Sequence, residues 1–310
     1  MVLSDVLPWV LLTTTLGVAL WVDLSVLRRH DQGVEPHEAL GWALCWIALG
    51  LTPGLIFWFW RGPTIVGEYL AAYLKSFNMD QLFVFAAVFN AFQLSAVVQY
   101  RVLFWGSVLG LPLRIALLGL GDSLVNAVHG LIYIFGIALI VLGIKMMHKF
   151  RAPPKLRVDA DRLVTLTRHV FPRVTRTSSA TFFVRVQGQW MATPLLLALV
   201  SLECLSAFFM LDEIPALMSV SRDVFVLSVA SSMALLGLRA LYFVLGEALN
   251  RVSMVRLGVG ILLAVAGVKL LVSDLVKVPI EISLTVTIAI LGTCIGVAMQ
   301  TSATKPVPKA

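Results

Sequence analysis

Charged residues are scarce in this chain. Only 13% of its 310 residues are Asp, Glu, Lys or Arg, whereas 59% are hydrophobic and the mean hydropathy is +0.92. A soluble globular domain carries about 25% charged residues. The composition therefore excludes a protein whose surface lies mainly in water, and most of the surface is expected to meet lipid.

Cysteine and the common catalytic patterns are also scarce. The three cysteines, Cys45, Cys204 and Cys294, all lie in apolar stretches, and we expect small buried side chains rather than a disulfide framework. The sequence has no His/Cys cluster with metal-ligand spacing, no glycine-rich phosphate loop and no nucleophile elbow. The chain is therefore not expected to be an enzyme or to hold a tightly bound cofactor. An intramembrane enzyme would have only the buried acids in its favour.

Long apolar segments dominate the sequence. A segment of about twenty residues can cross a bilayer, and nine spans are predicted: 7–26, 39–60, 64–92, 101–120, 127–147, 190–220, 223–246, 256–272 and 279–299. The third and sixth are long and interrupted. The first lacks a basic start, so a true membrane helix is expected rather than a cleaved signal. The predicted fold is an all-α polytopic membrane helical bundle.

Six parts are predicted along the chain. They are an N-terminal transmembrane hairpin (1–62), a first three-helix repeat (63–147), a basic cytoplasmic loop (148–189), a second three-helix repeat (190–273), a final transmembrane helix (274–300) and a tail (301–310). The boundaries follow the apolar segments and the charged residues between them.

Positive charge gathers in one region. Residues 145–187 contain ten Lys or Arg and two acids, and the positive-inside rule places such a loop in the cytoplasm. The N-terminus is then outside and the C-terminus cytoplasmic, in what we expect to be a bacterial inner membrane. Because the net charge of +7 is concentrated there, orientation explains it better than nucleic-acid binding does. Contact with lipid headgroups or with a docked protein is the alternative.

Two three-span units share landmarks in the same order. An aspartate inside a span is followed by a mid-span arginine and then by a Gly-x-Lys sequence. The landmarks are Asp80, Arg114 and Lys145 in the first unit, and Asp212, Arg239 and Lys269 in the second. Because three is odd, the units run in opposite directions through the membrane. Inverted repeats with binding groups at the midplane are typical of transporters; chance similarity is the alternative.

Carboxylates inside these spans predict an ion site. A charge at that depth is costly, so it normally faces the bundle interior and marks a path for an ion or substrate. Pro215 frees the carbonyl of Leu211 beside the acids. Oxygen ligands suit hard divalent cations such as Mn²⁺, Mg²⁺ or Ca²⁺. The predicted metal ligands are Asp80, Gln81, Glu203, Ser206, Asp212 and Glu213, with Glu203 as an inner step on the path.

Arg114 and Arg239 are expected to have carboxylate partners, because an unpaired cation inside a span is costly. They would act as a counter-charge or gate that holds the acids when no ion is bound, or as static ion pairs that fix helix packing. Both interpretations stay open. Lys145 and Lys269 lie near span ends, where lysine can reach the interface, and no role is assigned to them.

Several strings of residues resemble the TerC family, integral membrane proteins linked to tellurite resistance and manganese export. The family pattern E-x-S-L-S-V-D-N-L-F-V-F is similar to LKSFNMDQLFVF at 74–85. The pattern E-x-x-D-L-x-F-A-x-D-S-I-P-A is similar to ECLSAFFMLDEIPA at 203–216. The resemblance covers most of the chain and implies a metal site around the two aspartates.

This chain departs from those patterns at four positions. Leu74 and Ser206 stand where the family has an acid six residues before each aspartate. Gln81 replaces an asparagine, and Glu213 replaces a serine. The inferred site has lost two carboxylates and gained one, which implies weaker divalent binding or a different ion.

The residues and the resemblance together predict a transporter that exports a divalent cation, with Mn²⁺ as the first candidate. The alternative is a non-transporting membrane scaffold that binds a partner and keeps a degenerate metal site. The predicted partners are the lipid bilayer and the metal ion. A homo-oligomer or a membrane protein partner stays open, and nucleic acid is not expected.

Overall fold

The computed structural model describes residues 2–27, 36–92, 94–148, 181–186, 189–251 and 253–272, with seven isolated positions between 282 and 293. These residues form helices and one β-hairpin. The helices are α1 Val2–Leu27, α2 Pro36–Arg61, α3 Pro63–Ser76, α4 Asp80–Phe92, α5 Ala96–His148, α6 Pro194–Met218, α7 Val224–Arg251 and α8 Ser253–Val272. The strands are β1 Phe183–Val186 and β2 Gln189–Ala192.

The architecture is an all-α membrane bundle with one small hairpin. Among the described residues, four helical segments are long and apolar enough to cross a membrane: Leu40–Arg61, Val98–Gly121, Pro194–Met218 and Val224–Phe243. Three shorter apolar segments coincide with further predicted spans: Pro8–Trp21, Ile132–His148 and Leu257–Val272. The tail, most of the basic loop and almost all of the predicted final helix lie outside the described residues.

The third predicted span, 64–92, is divided into α3 and α4. Residues 77–79 separate the two helices. The N–H of Gln81 donates to the carbonyl of Asn78 at 3.1 Å, so a tight turn leads into α4. The predicted interruption is therefore present, and it places Asp80 at a helix N-terminus.

The prediction for the sixth span, 190–220, is wrong at its start and in its interruption. Residues 189–192 form the second strand of an antiparallel hairpin, in which Phe183 pairs with Ala192. α6 then runs without a break and contains Pro215. A proline removes one backbone donor, but here the helix continues on both sides of it.

α5 covers two predicted spans, 101–120 and 127–147. It contains one residue with non-helical geometry, Gly121, with φ 52° and ψ −136°. Glycine adopts a positive φ without steric cost. Gly121 therefore lets the chain change direction between the two spans.

The second half of α5 crosses α8 at two pairs of glycines. Gly136 faces Gly267, and Gly143 faces Gly260. A Cβ atom built on Gly267 would lie 2.5 Å from the Gly136 carbonyl oxygen, and one built on Gly136 would lie 3.0 Å from the Gly267 oxygen. Small residues that allow this close backbone approach are typical of packed membrane helices.

The glycine pairs follow the internal repeat. Aligning the Gly-x-Lys landmarks superposes Gly143 on Gly267, a shift of 124 residues, and the same shift superposes Gly136 on Gly260. Gly136 contacts the counterpart of Gly143, and Gly143 contacts the counterpart of Gly136. This reciprocity is the contact pattern that a two-fold axis produces, so the crossing supports a symmetric relation between the two units.

Arg61 and Asp223 join the N-terminal hairpin to the second unit. They form an ion pair at the end of α2 and the start of α7. Oδ1 of Asp223 also accepts the N–H of Phe225 at 2.9 Å, as an N-cap does. The Phe225 ring packs edge-on against Trp9 of α1 at 5.2 Å between centroids. α1, α2 and α7 therefore meet at one end of the bundle.

Candidate functional site

Asp80 begins α4 inside the bundle, where it is 6% exposed. Its backbone N–H donates to Oδ1 of Asn78 at 3.2 Å, so the asparagine side chain closes the turn before the helix. Oδ2 of Asp80 lies 3.5 Å from Nζ of Lys269, on α8. A buried carboxylate needs such a partner. Lys269, which has no role in the sequence-based prediction, thus faces the predicted site.

Arg114 of α5 lies at the centre of the bundle with 4% of its side chain exposed. Its Nη2 donates to Oε1 of Gln81 at 3.0 Å, and its Nη1 donates to Oγ of Ser231 on α7 at 3.0 Å. Nη1 also lies 3.9 Å from Oε2 of Glu213 on α6. Gln81 and Glu213 each follow the aspartate of their unit directly. Arg114 therefore connects the two units at matching positions.

Glu213 lies within the field of both nearby cations. It is 7% exposed, and its carboxylate interacts with Arg114 and, more weakly, with Lys269. The neighbouring Asp212 adds a second negative charge beside it. The acids thus lie on α4 and α6, and the cations lie on α5 and α8.

Glu203 and Arg239 form a second charged group. The Glu203 carboxylate interacts most strongly with Arg239 and less strongly with Arg114. Both side chains lie against Gly106 of α5, where an added Cβ would meet Oε1 of Glu203 and lie 3.0 Å from Nη2 of Arg239. A Cβ on Gly110 would lie 2.8 Å from Oε2 of Glu203. The two glycines, one turn apart, leave the space that the carboxylate occupies.

A cavity lies beside this second group. Arg114, Arg239, Glu203 and Ser206 contribute its polar lining, and Phe85 is among its apolar residues. The cavity therefore connects the surroundings of the two arginines. Ser206 shares the cavity with Glu203, three residues before it on α6.

The predicted ligands fall into two places rather than one cage. Asp80 pairs with Lys269, and Gln81 and Glu213 contact Arg114. Glu203 and Ser206 line the cavity. Within the described part of the chain, no three His, Cys, Asp or Glu side chains are close enough to hold one metal ion. Direct approach of Asp80 to the half-buried Asp212 stays a prediction.

Four residues of the site are not evident from the sequence: Lys269, Ser231, Gly106 and Gly110. The glycines carry a usable signal, because small residues four apart on a membrane helix admit a close neighbour. Lys269 lies two residues beyond Gly267 at the α5–α8 crossing. The position of Lys269 near the end of a span therefore does not predict its partner. Its position beside the glycine contact is the better guide.

The expectation of buried cysteines is wrong for the two that the structure describes. Cys45 on α2 and Cys204 on α6 are free and exposed. Both helices are candidate membrane spans. An exposed side chain on such a helix faces lipid or a neighbouring protein, which accepts a small apolar thiol.

The sequence is similar to a family of membrane proteins. A profile described as "Integral membrane protein TerC family" matches residues 62–306. An uncharacterised membrane protein of Myxococcus xanthus is 35% identical over 276 residues, which are 88% of this chain and 86% of that protein. Alx of Escherichia coli strain K12, named as a proposed membrane-bound redox modulator, is 32% identical over 297 residues, 92% of each chain. No solved structure matches the chain.

Proposed function

This chain belongs to the TerC family of integral membrane proteins, and from that premise we propose that it exports a divalent metal cation, with Mn²⁺ as the first candidate. The observation that carries the proposal is the buried carboxylate of Asp80 at a helix N-terminus inside the bundle. Intramembrane acids mark ion paths, and oxygen ligands suit hard cations. The protein acts as a transporter with the cation as cargo, not as an enzyme, and needs no tightly bound cofactor.

The reciprocal glycine contacts between α5 and α8 support the transport proposal. Transporters built from inverted repeats move one unit against the other around a central site. A backbone contact without intervening side chains gives the two helices a smooth surface on which to shift. Asp80 lies on α4, which packs against α8, and Glu213 lies on α6, which packs against α5.

Glu203 serves as an entry step in this proposal. Its carboxylate lines the cavity together with Ser206, apart from the group around Asp80. A cation would pass this acid before it reaches the inner carboxylates. The protein would lie in a bacterial inner membrane with its N-terminus outside, as the distribution of basic residues predicts.

Uptake of Mn²⁺ into inside-out vesicles tests the proposal, because an exporter then fills the vesicle. Asp80→Asn and Asp212→Asn are expected to abolish uptake, since each removes a central carboxylate. Glu203→Gln should reduce uptake without abolishing it. The matched control is Asp223→Asn, which makes the same change at the ion pair with Arg61 and should leave uptake unchanged. Competition by Mg²⁺ and Ca²⁺ identifies the preferred cargo.

The alternative function is a membrane scaffold that binds a partner and keeps a degenerate metal site. Full uptake by Asp212→Asn, or no uptake by the parent protein at matched expression, would favour that alternative. The name of the Alx relatives adds redox modulation as a possible consequence of the activity. Within the described residues, Cys45 and Cys204 are both free thiols, so a thiol-pair mechanism has no support there.

A further inference from the structure

Four charged side chains form two ion pairs between α4, α5, α6 and α8. Asp80 pairs with Lys269 at 3.5 Å, and Glu213 pairs with Arg114 at 3.9 Å. Glu213 also interacts with Lys269. Asp212 adds a further negative charge beside Glu213, so three ionised acids face two cations. The single net negative charge offsets only half the charge of a divalent cation.

A divalent cation cannot simply be added to this group. It would bring two positive charges next to an ammonium and a guanidinium, and repulsion is strong where little water screens it. A buried ion pair is tolerated because its charges compensate each other. Binding of the cargo at Asp80 therefore requires one of the two resident cations to withdraw.

Lys269 is the cation that is able to withdraw. Its side chain is 25% exposed, compared with 4% for Arg114. Arg114 is fixed by hydrogen bonds to Gln81 and Ser231. Lys269 lies in the last turn of α8, and a lysine there can carry its ammonium group along a flexible stem to the membrane interface.

We infer that Lys269 is a tethered counter-ion. Its ammonium group pairs with the Asp80 carboxylate when no cation is bound, and it moves away from that carboxylate when a hard divalent cation binds. This inference rests on the proposed function. In it, Lys269 is a positioning residue that acts through the Asp80 carboxylate. The ammonium stabilises the buried carboxylate without cargo and competes with the cargo for the same oxygen. Competition keeps binding weak enough for the cation to be released.

Binding of Mn²⁺ to the purified full-length protein tests the inference. Lys269→Gln should bind Mn²⁺ at least about tenfold more tightly than the parent, equivalent to about 1.4 kcal/mol, because the competing charge is gone. Lys269→Arg keeps that charge and should bind no more tightly than the parent. The matched control is Lys145→Gln, at the equivalent and exposed position of the first unit, which should stay within about twofold of the parent.

A second measurement uses the unaltered protein, in case Lys269→Gln folds poorly. Mn²⁺ should increase the rate at which an amine-specific reagent labels Lys269, since the ammonium leaves its carboxylate. Labelling of Lys145 should not change. Mass spectrometry of the labelled protein measures both rates with and without Mn²⁺.

The outcomes separate the inference from the proposed function. Equal Mn²⁺ affinity of Lys269→Gln and the parent, while the parent still fills inside-out vesicles, overturns the tethered counter-ion alone. Unchanged labelling of Lys269 in saturating Mn²⁺ does the same. Tighter binding by Lys269→Gln without vesicle uptake by the parent supports the counter-ion and overturns export. Absence of Mn²⁺ binding to the parent and to Lys269→Gln overturns both.

Discussion

Asp80 and Asp212 are equivalent in sequence but lie in different local structures. Asp80 is the first residue of α4, after a turn closed by Asn78. Asp212 lies inside α6, which continues through Pro215. Asp80 is buried and Asp212 is half-buried. One unit therefore offers its acid at a broken helix, and the other offers it from the side of an intact one.

The lysines at the end of each unit differ in the same way. Lys269 reaches into the bundle and pairs with Asp80, whereas Lys145 is exposed. A symmetric sequence pattern thus folds into two unequal halves. In a transporter with inverted repeats, this inequality is the expected state, because alternating access requires the two units to hold different conformations at any one time.

The largest expected effect separates Arg114 from its equivalent, Arg239. Arg114→Met removes the cation that interacts most strongly with the buried Glu213 carboxylate and should lower the free energy of unfolding by about 3–5 kcal/mol. Arg239→Met should cost less, because its partner Glu203 is only half-buried beside a cavity. Unfolding midpoints in detergent measure both losses.

The double variant Arg114→Met/Glu213→Gln is the control for that experiment. It removes both charges, so it should recover part of the stability that Arg114→Met loses. Equal losses for Arg114→Met and Arg239→Met would contradict the inequality of the two halves. They would show instead that the arginines occupy equivalent environments.

The next largest effect is expected at the α5–α8 crossing, where the two three-helix units make equivalent contacts. Alanine at Gly267 or at the equivalent Gly143 would overlap a facing carbonyl oxygen, and overpacking of this kind costs about 1–3 kcal/mol. Alanine at Gly136 or Gly260 should cost less, because its Cβ would lie 3.0 or 2.9 Å from the facing oxygen. Unfolding midpoints should therefore group the four variants by equivalence between units.

Gly130→Ala is the matched control on α5. A Cβ there meets no atom within 4 Å, so the helical preference of alanine should raise the free energy of unfolding by up to about 1 kcal/mol. Grouping by helix, with Gly136→Ala and Gly143→Ala alike and both different from the α8 variants, would rule out a pseudo-two-fold crossing.

The bundle and its charged landmarks could be predicted from the sequence because hydropathy and rare intramembrane charges are local signals. An interruption of the third span, 64–92, was predicted, and it is present before Asp80. A break at Pro215 was predicted because proline lacks a backbone donor, and that prediction is wrong. Loss of one backbone donor weakens a helix without ending it. The packing that stabilises α6 involves other helices and cannot be predicted from the sequence of α6 alone.

The sequence predicts which type of residue pairs with a buried charge, but not which individual residue does so. An unpaired arginine in a span is costly, so a carboxylate near Arg114 was expected, and Glu213 lies there. The pairing of Lys269 with Asp80 joins residues 189 positions apart. It depends on how α8 crosses α5. The residues that allow this close crossing are glycines, which add little to a hydropathy pattern.

The smallest expected effect compares the segments next to the two aspartates. Asn78→Ala removes the acceptor for the Asp80 N–H and should lower the free energy of unfolding by about 1 kcal/mol. It should also reduce Mn²⁺ uptake, because Asp80 loses its fixed position. Pro215→Ala restores a backbone donor to a helix that is already intact, so stability should rise and uptake should persist.

Asn78→Ser keeps a side-chain acceptor at the turn and should restore much of the stability and uptake that Asn78→Ala loses. Thermal unfolding in detergent and uptake into inside-out vesicles measure both properties on the same preparations. The opposite pattern, with uptake lost in Pro215→Ala and kept in Asn78→Ala, would assign the functional distortion to α6. The broken helix before Asp80 would then be a structural feature, and the half-buried Asp212 would be the acid on which transport depends.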